Sequence, residues 1–177
     1  MRTAYLTKVL VRAFALATFF TNAVYADTSR EYQLKAAYLL NFARFIYWPV
    51  ESFSSKEAEF NVCVYGNDPF GDNLEYLLSK KVKNRSIKIN YKKDLNIETC
   101  HILFVSESDK MNFYKMSSTI PKNILTVSDV EGFSSKGGMI EFIRVENKIK
   151  FLINVTQSEK SGIKYKSQLL EVAENLR

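Results

Sequence analysis

Few residues in this sequence could carry chemistry. There is one histidine, His101, and there are two cysteines, Cys63 and Cys100. As a metal ligand His101 lacks a second imidazole, and its neighbour Cys100 is a candidate for a disulfide rather than for a metal. As a general base it would need a nucleophile and an orienting carboxylate, and no spacing in the chain implies either. It opens an apolar run and is read as a structural histidine. No catalytic residue, metal ligand or cofactor is expected, which disfavours an exported hydrolase. The second place where chemistry could occur is Gly66-Asn67-Asp68-Pro69-Phe70-Gly71, where a strand gives way to a helix. Backbone N–H groups there could hold an anion. The run is neither a phosphate-binding loop with Gly-Lys-Ser/Thr nor a dinucleotide fingerprint. Turn chemistry alone explains it: the glycines permit the turn and Asp68 caps the helix. Gly66, Asn67, Asp68 and Gly71 therefore stand as a candidate small-ligand turn, weighed against a plain cap.

The elements that must position these residues begin with a segment that is expected to be removed. Arg2, Lys8 and Arg12 precede an apolar stretch with no acid before Asp27. That stretch is shorter than the ~20 residues a spanning helix needs. Val24-Tyr25-Ala26 has a signal peptidase pattern, so a cleaved secretory signal over residues 1–26 is expected, with the cut between Ala26 and Asp27. Residues 27–177 then form a single domain. The signal takes three of 25 Lys+Arg and none of 19 Asp+Glu, leaving a net charge of +3. A charge that small, with no basic run along one helix face, gives no reason to expect nucleic acid as a partner. Two cysteines in an exported chain suggest a Cys63–Cys100 disulfide, with two free buried thiols as the alternative.

Thr28-Ser29 with Glu31 offers a helix start, and Leu34, Ala37, Tyr38, Asn41/Phe42 and Phe45 recur at helical spacing. The helix should end before Trp48-Pro49. The aromatic residues there are read as core. Strands are expected at 60–65, 87–91, 101–105 and 124–127, with helices at about 68–79 and 109–119. Gly137-Gly138 precedes an expected hairpin, 139–145 and 149–155, turning at Glu146-Asn147. A last helix is expected over 167–176. This order predicts an α/β fold, a three-layer α/β/α sandwich whose mostly parallel sheet carries a C-terminal antiparallel hairpin at one edge. The strand at 60–65 should lie beside that at 101–105, bringing Cys63 near Cys100. The hairpin and the segment after it are the expected partner surface: Glu141, Lys150, Leu152, Ile163 and Lys164, with Leu152 pointing outward at a free edge.

Several strings carry a resemblance. Lys35 through Pro49, Val62 through Gly71, Cys100 through Val105, Ile124 through Asp129, Gly137 through Ile140, Ile149 through Val155 and Ser161 through Ile163 resemble the YfiR-like family, in order and over the whole mature chain. The resemblance implies a periplasmic α/β protein without enzymatic activity. Such a protein would bind and repress the periplasmic part of an inner-membrane diguanylate cyclase, lowering cyclic di-GMP signalling and so affecting biofilm formation. It implies further that an OmpA-like outer-membrane lipoprotein can relieve that repression. Cys63 and Cys100 fall where the family's structural disulfide lies. A second disulfide of some members has no counterpart, because no cysteine lies between Phe133 and Phe142. A second copy of the chain is a further candidate partner, and a periplasmic small-molecule sensor using the Gly66–Gly71 turn is the alternative function.

Overall fold

The computed structural model describes residues 29–93 and 96–176. The expected signal, its cut at Ala26/Asp27 and the expected cap at Thr28 lie outside the described residues. Helix α1 covers 29–45. Ala36, Leu39, Leu40, Phe42 and Ala43 form its buried stripe, at the i, i+3, i+4, i+7 spacing of an amphipathic helix. The chain then turns extended: β1 is Ile46–Tyr47, and Trp48 precedes Pro49, which disfavours helical geometry. The Trp48 indole Nε1–H donates to the Ala43 carbonyl (2.8 Å) and so satisfies one of the carbonyls left open at the helix end.

The later strands are β2 (Phe60–Tyr65), β3 (Lys81–Val82), β4 (Arg85–Lys92), β5 (Ile102–Val105) and β6 (Leu125–Ser128). They are followed by β7 (Ile140–Val145), β8 (Lys148–Ile153), β9 (Lys164–Tyr165) and β10 (Asn175–Leu176). Helix α2 is Glu75–Leu78, α3 Lys110–Met116, α4 Val155–Lys160 and α5 Ser167–Glu171. The result is a mixed α/β architecture. Among the described residues one sheet has eight strands in the order β10-β8-β7-β6-β5-β2-β4-β3, and β1 pairs β9 separately. Strands β4, β2, β5, β6 and β7 run parallel, and β7 and β8 form an antiparallel hairpin. Its turn residues Glu146 and Asn147 both have positive φ (47° and 61°), the geometry of a tight hairpin turn that matches strand twist.

The pleat sorts side chains onto two faces. Phe60, Val62, Val64, Ile102, Phe104, Leu125 and Val127 pack in one apolar cluster with α1. Cys63, Tyr65, Leu103 and Val105 face a second cluster with Phe113 of α3 and Phe133. Strands β5 and β6 are buried throughout, as continuous apolar runs require. Cys63 of β2 and Cys100, just before β5, are disulfide-bonded with Cα atoms 5.8 Å apart.

Three expectations need correction. The hairpin is not at the sheet edge, because β10 pairs parallel to β8, setting Asn175 beside Leu152. The last helix stops at Glu171. Beyond it Glu174 N–H donates to the Phe151 carbonyl (2.9 Å), drawing the chain into the sheet. The strand β8 also ends earlier than expected, at Ile153, because the Asn154 side chain accepts from Gln157 N–H and starts α4.

Candidate interaction surface

Alternation sets Glu141 and Leu152 on the face away from Phe142 and Phe151, but that face is covered. Glu141 is only 3% exposed. One carboxylate oxygen accepts from Gly132 N–H (2.8 Å). The other accepts from Ser134 N–H (2.9 Å) and Ser134 Oγ–H (2.6 Å). It therefore anchors the loop before β7, whose Ser134 carbonyl also accepts from Asn154 Nδ2 (2.6 Å). Leu152 lies opposite Glu141 in the ladder and is 9% exposed, so it does not point outward. Ile163 is buried in the α1 cluster. A lysine at Glu141 or Leu152 would be buried, so neither position offers a clean interface probe. Lys150 reaches solvent but pairs with Glu174 (2.8 Å). Lys164 is exposed and stands apart on β9, opposite Tyr47.

The hairpin surface that does face solvent is its tip. Arg144, Glu146, Asn147 and Lys148 are exposed and Ile143 and Ile149 half-buried. Leu34 of α1, 44% exposed, lies beside them around a hollow of about 290 Å³ lined also by Arg30, Glu31, Arg144, Lys148 and Ile149. Apolar side chains within a charged rim suit a reversible protein contact.

Beneath that tip lies a charged tether that periodicity does not reveal. Lys35, 3% exposed, sits 2.5 Å from both Glu31 and Asp129. The Tyr32 hydroxyl donates to the same Asp129 oxygen (2.8 Å), and Arg144 pairs with Glu31. Burial would raise the Glu31 carboxyl, but Lys35 and Arg144 outweigh it and hold the group below its ordinary value. Burial, then the Asp129 charge, raises the Tyr32 hydroxyl. Helix α1 is thus pinned to the ends of β6 and β7. The available signal was the Glu31/Lys35 spacing of four, which puts the pair on one helix face.

The Gly66–Gly71 turn uses its own donors. Gly66 N–H donates to the Lys92 carbonyl (3.1 Å). Asn67 N–H donates to Ser108 Oγ (2.9 Å). Phe70 and Gly71 N–H donate to the Asp68 carboxylate (2.8 and 3.1 Å). A Cβ on Gly66, whose φ is +93°, would lie 2.6 Å from Ser108 Oγ and from Asp109 Oδ2. In parallel sheets the crevice beyond the strand ends, where the connections diverge, is the usual ligand position. Here Ser108 and Asp109 fill it beside β2, and a carboxylate occupies the amides an anion would need. The adjoining open cleft of about 640 Å³ is lined by Asp68, Tyr91, Lys92 and Lys93 among others, and the cap reading accounts for these residues.

His101 is engaged at both nitrogens. Nδ1 accepts from Asn61 N–H (3.0 Å) and Nε2 lies 2.9 Å from the Ser52 carbonyl, to which it donates. Its ring stacks between Phe53 (4.5 Å) and Phe60 (4.8 Å). Burial first, with the Arg85 charge, lowers its pKa from 6.5 to about 4. Between those values the unfolded chain takes up a proton that the folded protein refuses, so stability should fall as pH drops from 6.5 towards 4. In His101→Gln the slope of Tm against pH should flatten across that window by one proton's worth. An unchanged slope would mean that the ring titrates normally.

Among the described residues no cluster of three or more His, Cys, Asp or Glu could hold a metal, and no helix is long and apolar enough to cross a membrane. The family described as YfiR/HmsC-like matches residues 32–174. No curated protein matches the chain.

Proposed function

Because this chain belongs to the YfiR/HmsC-like family, we propose that it is a periplasmic, non-enzymatic regulator of cyclic di-GMP signalling. In this reading it binds the periplasmic part of an inner-membrane diguanylate cyclase and holds it inactive. The observation that carries the proposal is the extent of the match, from the first turns of α1 to the residue before β10. The mechanism is linkage: binding one conformation of the cyclase's outer domain lowers the population of its active state. Relief by an OmpA-like outer-membrane lipoprotein belongs to the same proposal. So does a three-layer arrangement, supported by the apolar clusters on both sheet faces. The contact is assigned to the hairpin tip with Leu34, in place of the buried Glu141 and Leu152.

Deleting the gene should raise cyclic di-GMP, and restoring it should lower the level again. Leu34→Asp combined with Lys148→Glu should leave Tm unchanged, since both side chains face solvent. The pair should weaken capture of the cyclase's outer domain by about tenfold or more, the size of a modest interface anchor. If the double variant binds and represses like the parent, the interface lies elsewhere. If deletion leaves cyclic di-GMP unchanged, the regulatory reading itself is wrong.

A further inference from the structure

The end of the sheet where the parallel strands begin carries a concentration of unpaired cations. The β3–β4 connection turns on Lys83 and Asn84, both at positive φ (48° and 69°), and Lys81 and Lys83 stand exposed on it. Arg44 Nη2 donates to the Lys81 carbonyl (3.4 Å), setting the last turn of α1 beside them. Tyr47 then pairs with Lys164 across β1 and β9. Lys166 N–H donates to the Phe45 carbonyl (2.9 Å), and its ammonium lies 5.9 Å from the Tyr47 ring centre. Lys122 joins the same end, because Asn123 N–H donates to the Ser161 carbonyl (2.8 Å), just ahead of β9. None of these six cations is in an ion pair among the described residues. Two apolar side chains project among them: Tyr47, 56% exposed, and Val50, 81% exposed on the turn after Pro49. Glu51 and Glu159 also lie at this end, as do Glu57, Glu59 and Glu98, which with Glu51 line a neighbouring hollow ahead of β2 and β5. Glu59 pairs with Lys88.

The opposite end carries both signs of charge: Lys92 closes β4 and Lys93 follows it, Lys110 opens α3, and Arg144 and Lys148 stand at the hairpin tip. Asp68 follows β2, Glu107 and Asp109 follow β5, and Asp129 and Glu131 follow β6.

We propose that the basic end is a docking surface for an anionic phospholipid bilayer. Five of its six cations are lysines. Lysine is depleted at protein interfaces, where arginine and aromatic residues dominate. Lysine suits phosphate headgroups, which demand no fixed geometry, and it can extend its ammonium while its stem lies along apolar surface. Tyr47 and Val50 supply the apolar contact that an amphipathic membrane-surface element combines with basic charge. Docked this way, the hairpin tip at the far ends of β7 and β8 points away from the lipid.

The test is flotation of the exported protein with vesicles of phosphatidylglycerol in phosphatidylcholine, against phosphatidylcholine alone. Binding should rise with the phosphatidylglycerol fraction and fall in high salt. Each lysine near the surface contributes about a fivefold factor, so Lys81→Gln/Lys83→Gln/Lys164→Gln should weaken partitioning about a hundredfold. Val50→Asp should weaken it further, whereas Lys93→Gln, beyond the carboxyl end of β4, should not. Equal binding to both vesicle types would overturn the proposal, and so would a triple variant that partitions like the parent. A triple variant that keeps its lipid binding but loses the cyclase's outer domain would assign the patch to a protein partner instead. No cyclase is present in the flotation, so its outcome is independent of the family-based reading.

Discussion

Lys35→Ala should destabilise the protein by roughly 3–5 kcal/mol, because it leaves two carboxylates facing each other in a largely dry site. The Lys35 ammonium is 2.5 Å from both Glu31 and Asp129, and no other cation contacts Asp129 in this tether. The charge-free combination Lys35→Met/Glu31→Gln/Asp129→Asn should recover much of the loss, since removing all members of a buried network avoids the unpaired charge. Urea denaturation compares the three proteins. A loss below about 1 kcal/mol in Lys35→Ala would show that water already screens the site. Acid should act on the same tether. The Glu31 carboxyl is held below its ordinary value of 4.5. Its contribution is therefore present above that pH and is lost as pH falls through the folded value.

Cys63→Ala/Cys100→Ala should cost a comparable roughly 4 kcal/mol, the chain-entropy effect of opening a loop of this length. The cysteines are 37 positions apart and join the middle of β2 to the segment just before β5, and β2 and β5 are neighbouring parallel strands. Set against a total stability of about 5–15 kcal/mol for a domain, that loss would bring the protein close to unfolding at growth temperature. The same fall in urea midpoint should appear when the parent is reduced. Peptide mapping of periplasmic protein should recover Cys63 and Cys100 in one linked peptide pair. Separately alkylated thiols, or a variant with the parent's midpoint, would remove the disulfide from the stability argument.

Much of the fold was legible in local pattern. The stripe from Ala36 to Ala43 has only one helical face it can bury, and Trp48-Pro49 ends the helix. The unbroken apolar runs at β5 and β6 require cover on both sides. Glu146-Asn147 is a turn by residue type, and the proximity of Cys63 and Cys100 follows once β2 and β5 are neighbours. The interaction surface was less legible. Alternation along β7 and β8 correctly places Glu141 and Leu152 on the face opposite Phe142 and Phe151, but it does not say what lies over that face. The loop carrying Gly132 and Ser134 folds back onto Glu141 and supplies three donors, so a residue type that usually signals solvent is instead an internal anchor. Likewise β10 is two residues long, and its pairing with β8 depends on a hydrogen bond from Glu174 across 23 positions to Phe151, which no periodicity encodes. Local pattern was enough for α1, the parallel strands β2, β4, β5 and β6, the β7–β8 hairpin and the neighbourhood of the two cysteines, but not for β1, β3, β9, β10 or α4. Which side chains reach the surface was settled by packing, because exposure depends on what distant segments of the chain come to cover.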